Sequence, residues 1–414
     1  MPMSAHPAES AERYTLISAD CHAGADHATY REYLDSRWLG EFDAWRNRYR
    51  NPYRDLQDDG RTRNWDSDRR INEQATDGVV AEVIYPNTVP PFFPSAAVMA
   101  APPNSEDFER RLAGIRAHNR WLADWCADAP AQRAGVGQIF LNDVDRAVED
   151  VHWIKENGLR GGILIPNVAP DVKWVKPLYD PVYDPIWRAC EELGVPVNSH
   201  AGNGLPDYGR YKTAGLLYIT EVSFYAQRPL VQFILSGVFE RFPNLKFAMS
   251  EQGCAWAPRL LRELDLIDHR IKRSGRIGEL VYGRDEQLPL RPSEYFRRNC
   301  WIGVSMPSAE DMAAREVLGA GKFMWGSDYP HSEGTYPFTR ECLRQVMHDL
   351  EPGELRQMLA CNAADLYDFD LDALAPLADQ YGPTVAEVGQ PLTELPDDPN
   401  DVLLRETFAA AVRA

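Results

Sequence analysis

Eight short apolar runs, each stopped by a polar, glycine or proline break, constrain this chain more than any other feature. They are Tyr14–Ala19, Val79–Tyr85, Ala134–Phe140, Gly161–Ile165, Val195–Ser199, Leu245–Met249, Trp301–Val304 and Phe323–Trp325. Segments with helical spacing separate most of them: about Ser105–Ala127, a stretch capped near Asn142 or Asp143, Tyr183–Leu193, Leu216–Phe242 and Ala257–Arg273. Two more, Thr339–Asp349 and Gly353–Tyr367, follow the last run. This alternation predicts an α/β fold, a single (β/α)8 TIM barrel, because parallel neighbours need a crossover and a helix is the usual one. The expected limits are a flexible N-terminus over 1–13, a barrel with long loop insertions over 14–370, and a C-terminal helical extension over 371–414. Trp38–Arg70 shows no sustained period and reads as a loop.

With 414 residues, 44% of them apolar, the chain can bury a large core. Its net charge of −18 argues against nucleic acid or an anionic membrane as partner. Seven cysteines without a C-x-x-C pair fit reduced thiols and a cytoplasmic location. No apolar run nears the ~20 residues of a membrane span. Met1–Arg13 is polar and reads as no signal peptide.

In such barrels chemistry gathers at the carboxyl ends of the strands. The stretch F-M-W-G-S-D-Y-P-H delivers Asp328 and His331 there. The first run leads into Asp20-Cys21-His22, and residues two apart on a strand share a face. The fifth run ends in His200 and the sixth in Ser250-Glu251. Each ending alone also fits a capping Asp or a surface His. All six at strand ends favour one metal site, with Glu251, Asp328 and His331 as candidate catalytic groups. Three carboxylates and three imidazoles suit iron, manganese or zinc. They outnumber the ligands of one ion with an open position, so two ions become an option.

Arg70 and Arg228 are candidate anchors for a substrate carboxylate or phosphate. Phe92 and Phe93, in a proline-rich stretch, could wall the site or belong to a packed surface loop. Glu221 lies on a helix and reads either as a solvated residue or as a further carboxylate over the cluster. Aromatics in the loops, such as Tyr49, Tyr53, Trp65 and Trp174, suit a bulky apolar ligand or a homodimer interface.

D-C-H at 20–22, D-G-V-V-A-E-V-I-Y-P at 77–86, G-V-F-E-R-F-P-N-L-K at 237–246, W-G-S-D-Y-P-H at 325–331 and N-A-A-D-L-Y at 362–367 together resemble the amidohydrolase superfamily. The likeness is to its amidohydrolase 2 branch, which includes aminocarboxymuconate semialdehyde decarboxylase. That resemblance implies a divalent metal held by Asp20, His22, His200 and Asp328. The decarboxylases carry a His after strand six, where this chain has Glu251. With Glu251 and D-Y-P-H, the chain also resembles a barrel-fold group of non-haem diiron monooxygenases. The favoured expectation is therefore a two-iron monooxygenase hydroxylating a bulky apolar acid or acyl-CoA. The alternative is a hydrolase or decarboxylase of a carboxylic acid using one Zn or Mn, with Glu251 as general base.

Overall fold

In the computed structural model, which describes residues 12–50, 59–283 and 287–413, the eight apolar runs become eight parallel strands. These are β1 Ile17–Ala23, β2 Ala81–Pro86, β3 Arg133–Gln138, β4 Gly162–Leu164, β5 Val197–His200, β6 Phe247–Ser250, β7 Cys300–Ser305 and β8 Phe323–Gly326. They pair in chain order from β1 to β8. The ends of β8 and β1 then meet: Asp328 N donates to Asp20 O at 2.9 Å and His22 N to Tyr329 O at 2.7 Å. Flanking helices complete the (β/α)8 barrel. No described helix is long and apolar enough to cross a membrane.

The strands are buried along almost their whole length, as parallel strands covered on both faces must be. Alternation then splits their side chains into two sets. Ile84, Ile163, Val197, Phe247, Ile302 and Trp325 pack with the outer helices. Ile17, Ala19, Ala81, Val83, Tyr85, Ala134, Ala248 and Met324 fill the inside, stoppered by Ala363, Leu366 and Tyr367 of the helix Asn362–Tyr367. Four alanines in that inner layer leave room for large polar groups. Tyr85 and Tyr367 both donate to Asn198 Oδ1, at 3.2 and 2.8 Å.

Several expectations change. The first strand starts three residues late and runs on to Ala23, so Asp20 and His22 belong to it. Its register against β2 shifts between Ser18 and Cys21, a bulge of the kind that re-aims side chains beside sites. The helix expected over Leu216–Phe242 is two, Ala214–Leu235 and Val238–Arg241, parted by Gly237 at φ 72°. A left-handed residue there ends the first helix at no steric cost to glycine.

The stretch read as a loop, Trp38–Arg70, carries helices Leu39–Arg48 and Ser67–Asp77. The second buries Arg70, Gln74 and Asp77, a helical i, i+4, i+7 stripe written in polar residues. Arg70 is fully buried and forks onto Glu82 of β2, Nη2 to Oε2 at 2.6 Å and Nε to Oε1 at 2.9 Å. Gln74 Nε2 donates to the same carboxylate at 2.8 Å. Arg70 is thus an internal ion pair and offers nothing to a substrate. The pair Phe92 and Phe93 is likewise packed away. Phe92 sits among Trp38, Phe42 and Trp45, and Phe93 stacks on Phe140.

Residues 1–11 of the expected flexible N-terminus lie outside the described residues, while Arg13 bridges to Thr384 of the C-terminal extension. That extension carries helices Leu371–Tyr381, Val385–Val388 and Asp401–Arg413.

Breaking a buried ion pair from one side leaves the other charge uncompensated. Arg70→Met should therefore lower the unfolding free energy by about 3–5 kcal/mol, read as a lower urea midpoint. A loss below ~1 kcal/mol would mean that Arg133, 3.7 Å from Glu82, already neutralises it.

Candidate metal centre

Asp20 and His22 come from β1, His200 ends β5, and Glu251 and Asp328 follow β6 and β8 within two residues. All five side chains reach the same few ångströms. His22 Nε2 lies 3.5 Å from Asp20 Oδ1, 3.5 Å from Glu251 Oε2 and 3.2 Å from Asp328 Oδ1. His200 Nε2 lies 3.4 Å from Asp20 Oδ1 and 3.1 Å from Glu251 Oε2. Glu251 and Asp328 sit at φ 55° and 60°, an uncommon region for a residue with a Cβ. Strained backbone of this kind, ~1–3 kcal/mol each, concentrates at functional sites.

Strand β7, which carries no obvious ligand in the sequence, supplies Ser305. Its hydroxyl donates to Asp20 Oδ2 at 2.5 Å, leaving Oδ1 to face the two histidines. Tyr85, beneath them, lies 4.8 Å from the His200 ring and shares a 2.6 Å hydrogen bond with Ser250.

His331 packs its ring 4.2 Å from that of His22 and is held by hydrogen bonds at both nitrogens. Its Nδ1 is 2.8 Å from Asp328 Oδ1 and its Nε2 is 3.0 Å from Asn87 Oδ1. Asn64 Nδ2 donates to Arg61 O, and Asn87 Nδ2 donates to Asn64 Oδ1. This chain turns the Asn87 oxygen toward His331, so both imidazole nitrogens act as donors. Asn64, Asn87 and Ser305 are the residues that sequence reasoning missed. Asn87 directly follows β2 and Ser305 ends β7, so position at a strand end was the available signal.

The charges are strongly interlocked. Burial and neighbouring His331 would lower the His22 pKa, yet Asp328, Glu251 and Asp20 carry it up to about 9. Burial opposes protonation of His331 too, and Asp328 draws its pKa up to about 10. Burial raises the Glu251 carboxyl above its ordinary value. Burial acts the same way on Asp328, but His331 and His22 hold that carboxyl far below the usual range.

The cluster opens into a cavity of about 680 Å³. Its lining includes apolar Val98, Met99, Ile219 and Val222 and polar Asn64, Asn87 and Arg63. Arg63 is paired with Glu73 at 2.7 Å. Arg228 does not line this cavity and lies over the Tyr225 ring. Glu221 is outside the cluster and accepts from Tyr208 Oη at 2.6 Å.

A family model described as Amidohydrolase matches residues 19–369. The chain belongs to the amidohydrolase 2 family. Within it, this amidohydrolase is 26% identical to the 2-amino-3-carboxymuconate-6-semialdehyde decarboxylase of Dictyostelium discoideum over 277 residues, 65% of this chain and 68% of the relative. It is 27% identical to the gamma-resorcylate decarboxylase of Rhizobium sp. (strain MTP-10005) over 244 residues, 56% of this chain and 69% of the relative. Among solved structures, the 5-carboxyvanillate decarboxylase of Sphingomonas paucimobilis shares the fold with a TM-score of 0.61 at 23% identity, over 86% of this chain and all of that one. A 5-carboxyvanillate decarboxylase of Novosphingobium aromaticivorans, solved with manganese, gives 0.64 at 18% identity over 86% and 96%.

The amidohydrolase donor set fits a divalent cation on three counts. His22 Nε2 and Asp328 Oδ2 are buried without a hydrogen bond, which is costly for polar atoms. Ligands about 2.0–2.2 Å from one ion stand ~3.0–3.5 Å from each other, matching the separations above. Three clustered carboxylates also call for positive charge.

A cation that binds only the folded state stabilises it by mass action, about 2.7 kcal/mol at a hundred times Kd. Adding Mn2+ or Zn2+ to metal-stripped protein should therefore raise its melting temperature, and the double variant His22→Gln/Asp328→Asn should lose that response. An unresponsive wild type would mean that the cluster binds neither ion in the folded state.

Proposed function

We propose that this amidohydrolase is a metal-dependent decarboxylase of a ring-bearing carboxylic acid. The observation that carries the reading is the group Asp20, His22, His200 and Glu251, joined by Asp328, at the head of a half-apolar cavity. The decarboxylase names of the relatives support it, as does the manganese bound by one of them. It departs from the expected two-iron monooxygenase, which the decarboxylase relatives do not support.

Asp20, His22, His200 and Asp328 would hold the ion, with Glu251 as a fifth donor. When bound, a divalent ion supplies a Lewis acid for the substrate's carboxylate or a neighbouring hydroxyl. The apolar lining residues Val98, Met99 and Val222 pack against the ring and exclude water from it. Loss of CO2 leaves an electron pair on carbon, and a proton must arrive there. His331 is held as a double donor between Asp328 and Asn87 at the cavity edge, so it delivers that proton from Nε2 and regains one from solvent.

A second reading rests on one further observation. His22, Glu251, Asp328 and His331 form an overlapping group of possible ligands, which could hold a second ion if His331 gave up a hydrogen bond. That arrangement would suit the dinuclear iron monooxygenase acting on an acyl or acyl-CoA substrate.

The two separate cleanly in one assay. Hydroxybenzoic and other ring-bearing carboxylic acids are incubated in D2O with the Mn2+ or Zn2+ protein under argon and, in parallel, with the Fe2+ protein under O2. CO2 release with one deuterium at the vacated carbon is expected. His331→Gln should lower kcat by about 10²–10⁴-fold while keeping its metal. Turnover that requires O2 and two equivalents of iron would replace decarboxylation with oxygenation.

A further inference from the structure

The C-terminal extension begins where the family match stops, at Phe369, and its last helix, Asp401–Arg413, returns to the loops after β7 and β8. Val402 and Leu403 are buried against Cys342, with Met306 and Phe338 packed on them. Asn400, just before that helix, uses its two amide atoms differently. Its Oδ1 accepts from Leu403 N at 3.1 Å, the bond of a helix N-cap. Its Nδ2 donates to the carbonyls of Gly334 and Thr335, at 3.1 and 3.0 Å.

Those two carbonyls belong to the turn that presents His331. Within it His331 N donates to Asp328 O at 2.9 Å, Gly334 N to His331 O at 3.1 Å and Thr335 N to Ser327 O at 2.8 Å. The barrel grips the inner side of the turn through Thr335, Thr339 and Asp77, and Asn400 grips the outer side. Arg405, five residues on, donates from Nη2 to Met306 O at 2.7 Å. Met306 follows Ser305, the residue that orients Asp20, and stands at φ 52°. One short helix therefore reaches two of the loops that support the cluster.

We propose that Asn400 and Arg405 are positioning residues for the metal centre, acting from a segment outside the family-matched region. Asn400 sets the turn that carries Asp328 and His331; Arg405 sets the Ser305–Met306 step behind Asp20. The proposal rests on the metal reading above and adds that the extension controls how well the donors are held. Donor groups must be fixed within roughly half an ångström to bind an ion well, and a side chain that pins successive carbonyls holds two peptide planes at once.

The variant that isolates this role is Asn400→Asp. It has the same shape and keeps an oxygen for the helix cap, but it loses both donated hydrogen bonds and sets a carboxylate against two carbonyls. In hydrogen-exchange mass spectrometry, the segment 327–338 should exchange about tenfold faster, while 401–413 keeps its protection. Affinity for Mn2+, measured by titration of the metal-stripped protein, should fall by a similar factor. Arg405→Met should speed exchange at 300–307 and weaken Mn2+ binding, with Arg405→Lys partly restoring both.

Unchanged exchange at 327–338 together with unchanged Mn2+ affinity in Asn400→Asp would overturn the proposal and leave the extension a packing element. If Asn400→Asp also opens 401–413, the Arg405 pair decides by the same two readouts. No substrate enters either measurement, so failure of the decarboxylase reading would leave this result standing.

Discussion

Three carboxylates, on Asp20, Glu251 and Asp328, converge at the head of a buried barrel, and much of the surrounding structure answers that fact. Like charges this close in a poorly hydrated space repel strongly. Three imidazoles stand among them, the carboxylates drawing protons onto His22 and His331. A divalent ion would meet the same demand with more charge in less volume. The left-handed backbone at Glu251 and Asp328 is the local strain of turning those side chains inward from strand ends.

Around this cluster a set of uncharged groups fixes direction. Ser305 takes one oxygen of Asp20, and Asn64 and Asn87 orient His331 through a chain of defined polarity. Tyr85 sits under the His200 ring. Further out, Arg70 joins the site to the scaffold, since its Nη1 donates to His22 O at 2.8 Å while its other nitrogens fork onto Glu82. The buried ion pair thus steadies the end of β1 as well as the barrel wall.

The cavity lining mixes apolar Val98, Met99, Ile219 and Val222 with polar Asn64 and Asn87, the make-up of a small-molecule site. Arg63 is the guanidinium in that lining, and Glu73 already claims it. A substrate with one carboxylate at the cluster matches this balance better than a polyphosphate would.

The barrel and its cluster were legible in the sequence because both are written in local signals. Eight apolar runs have the length of strands, and Asp20, His22, His200, Glu251, Asp328 and His331 each stand beside one. What tertiary structure alone decided were the partners of polar residues. Arg70, Gln74 and Asp77 keep helical spacing, but a periodicity sought in apolar residues passes over a buried stripe whose burial is repaid by Glu82 and Thr339. Arg70 reads as a candidate substrate anchor, and Phe92 and Phe93 read equally as a site wall or a packed loop, because a sequence does not display what lies across the fold. Asn400 and Gly334 are 66 residues apart, and hydrogen bonds over such separations exist only once the strands have brought distant chain together. Periodicity is a property of neighbours along the chain; pairing is a property of neighbours in space.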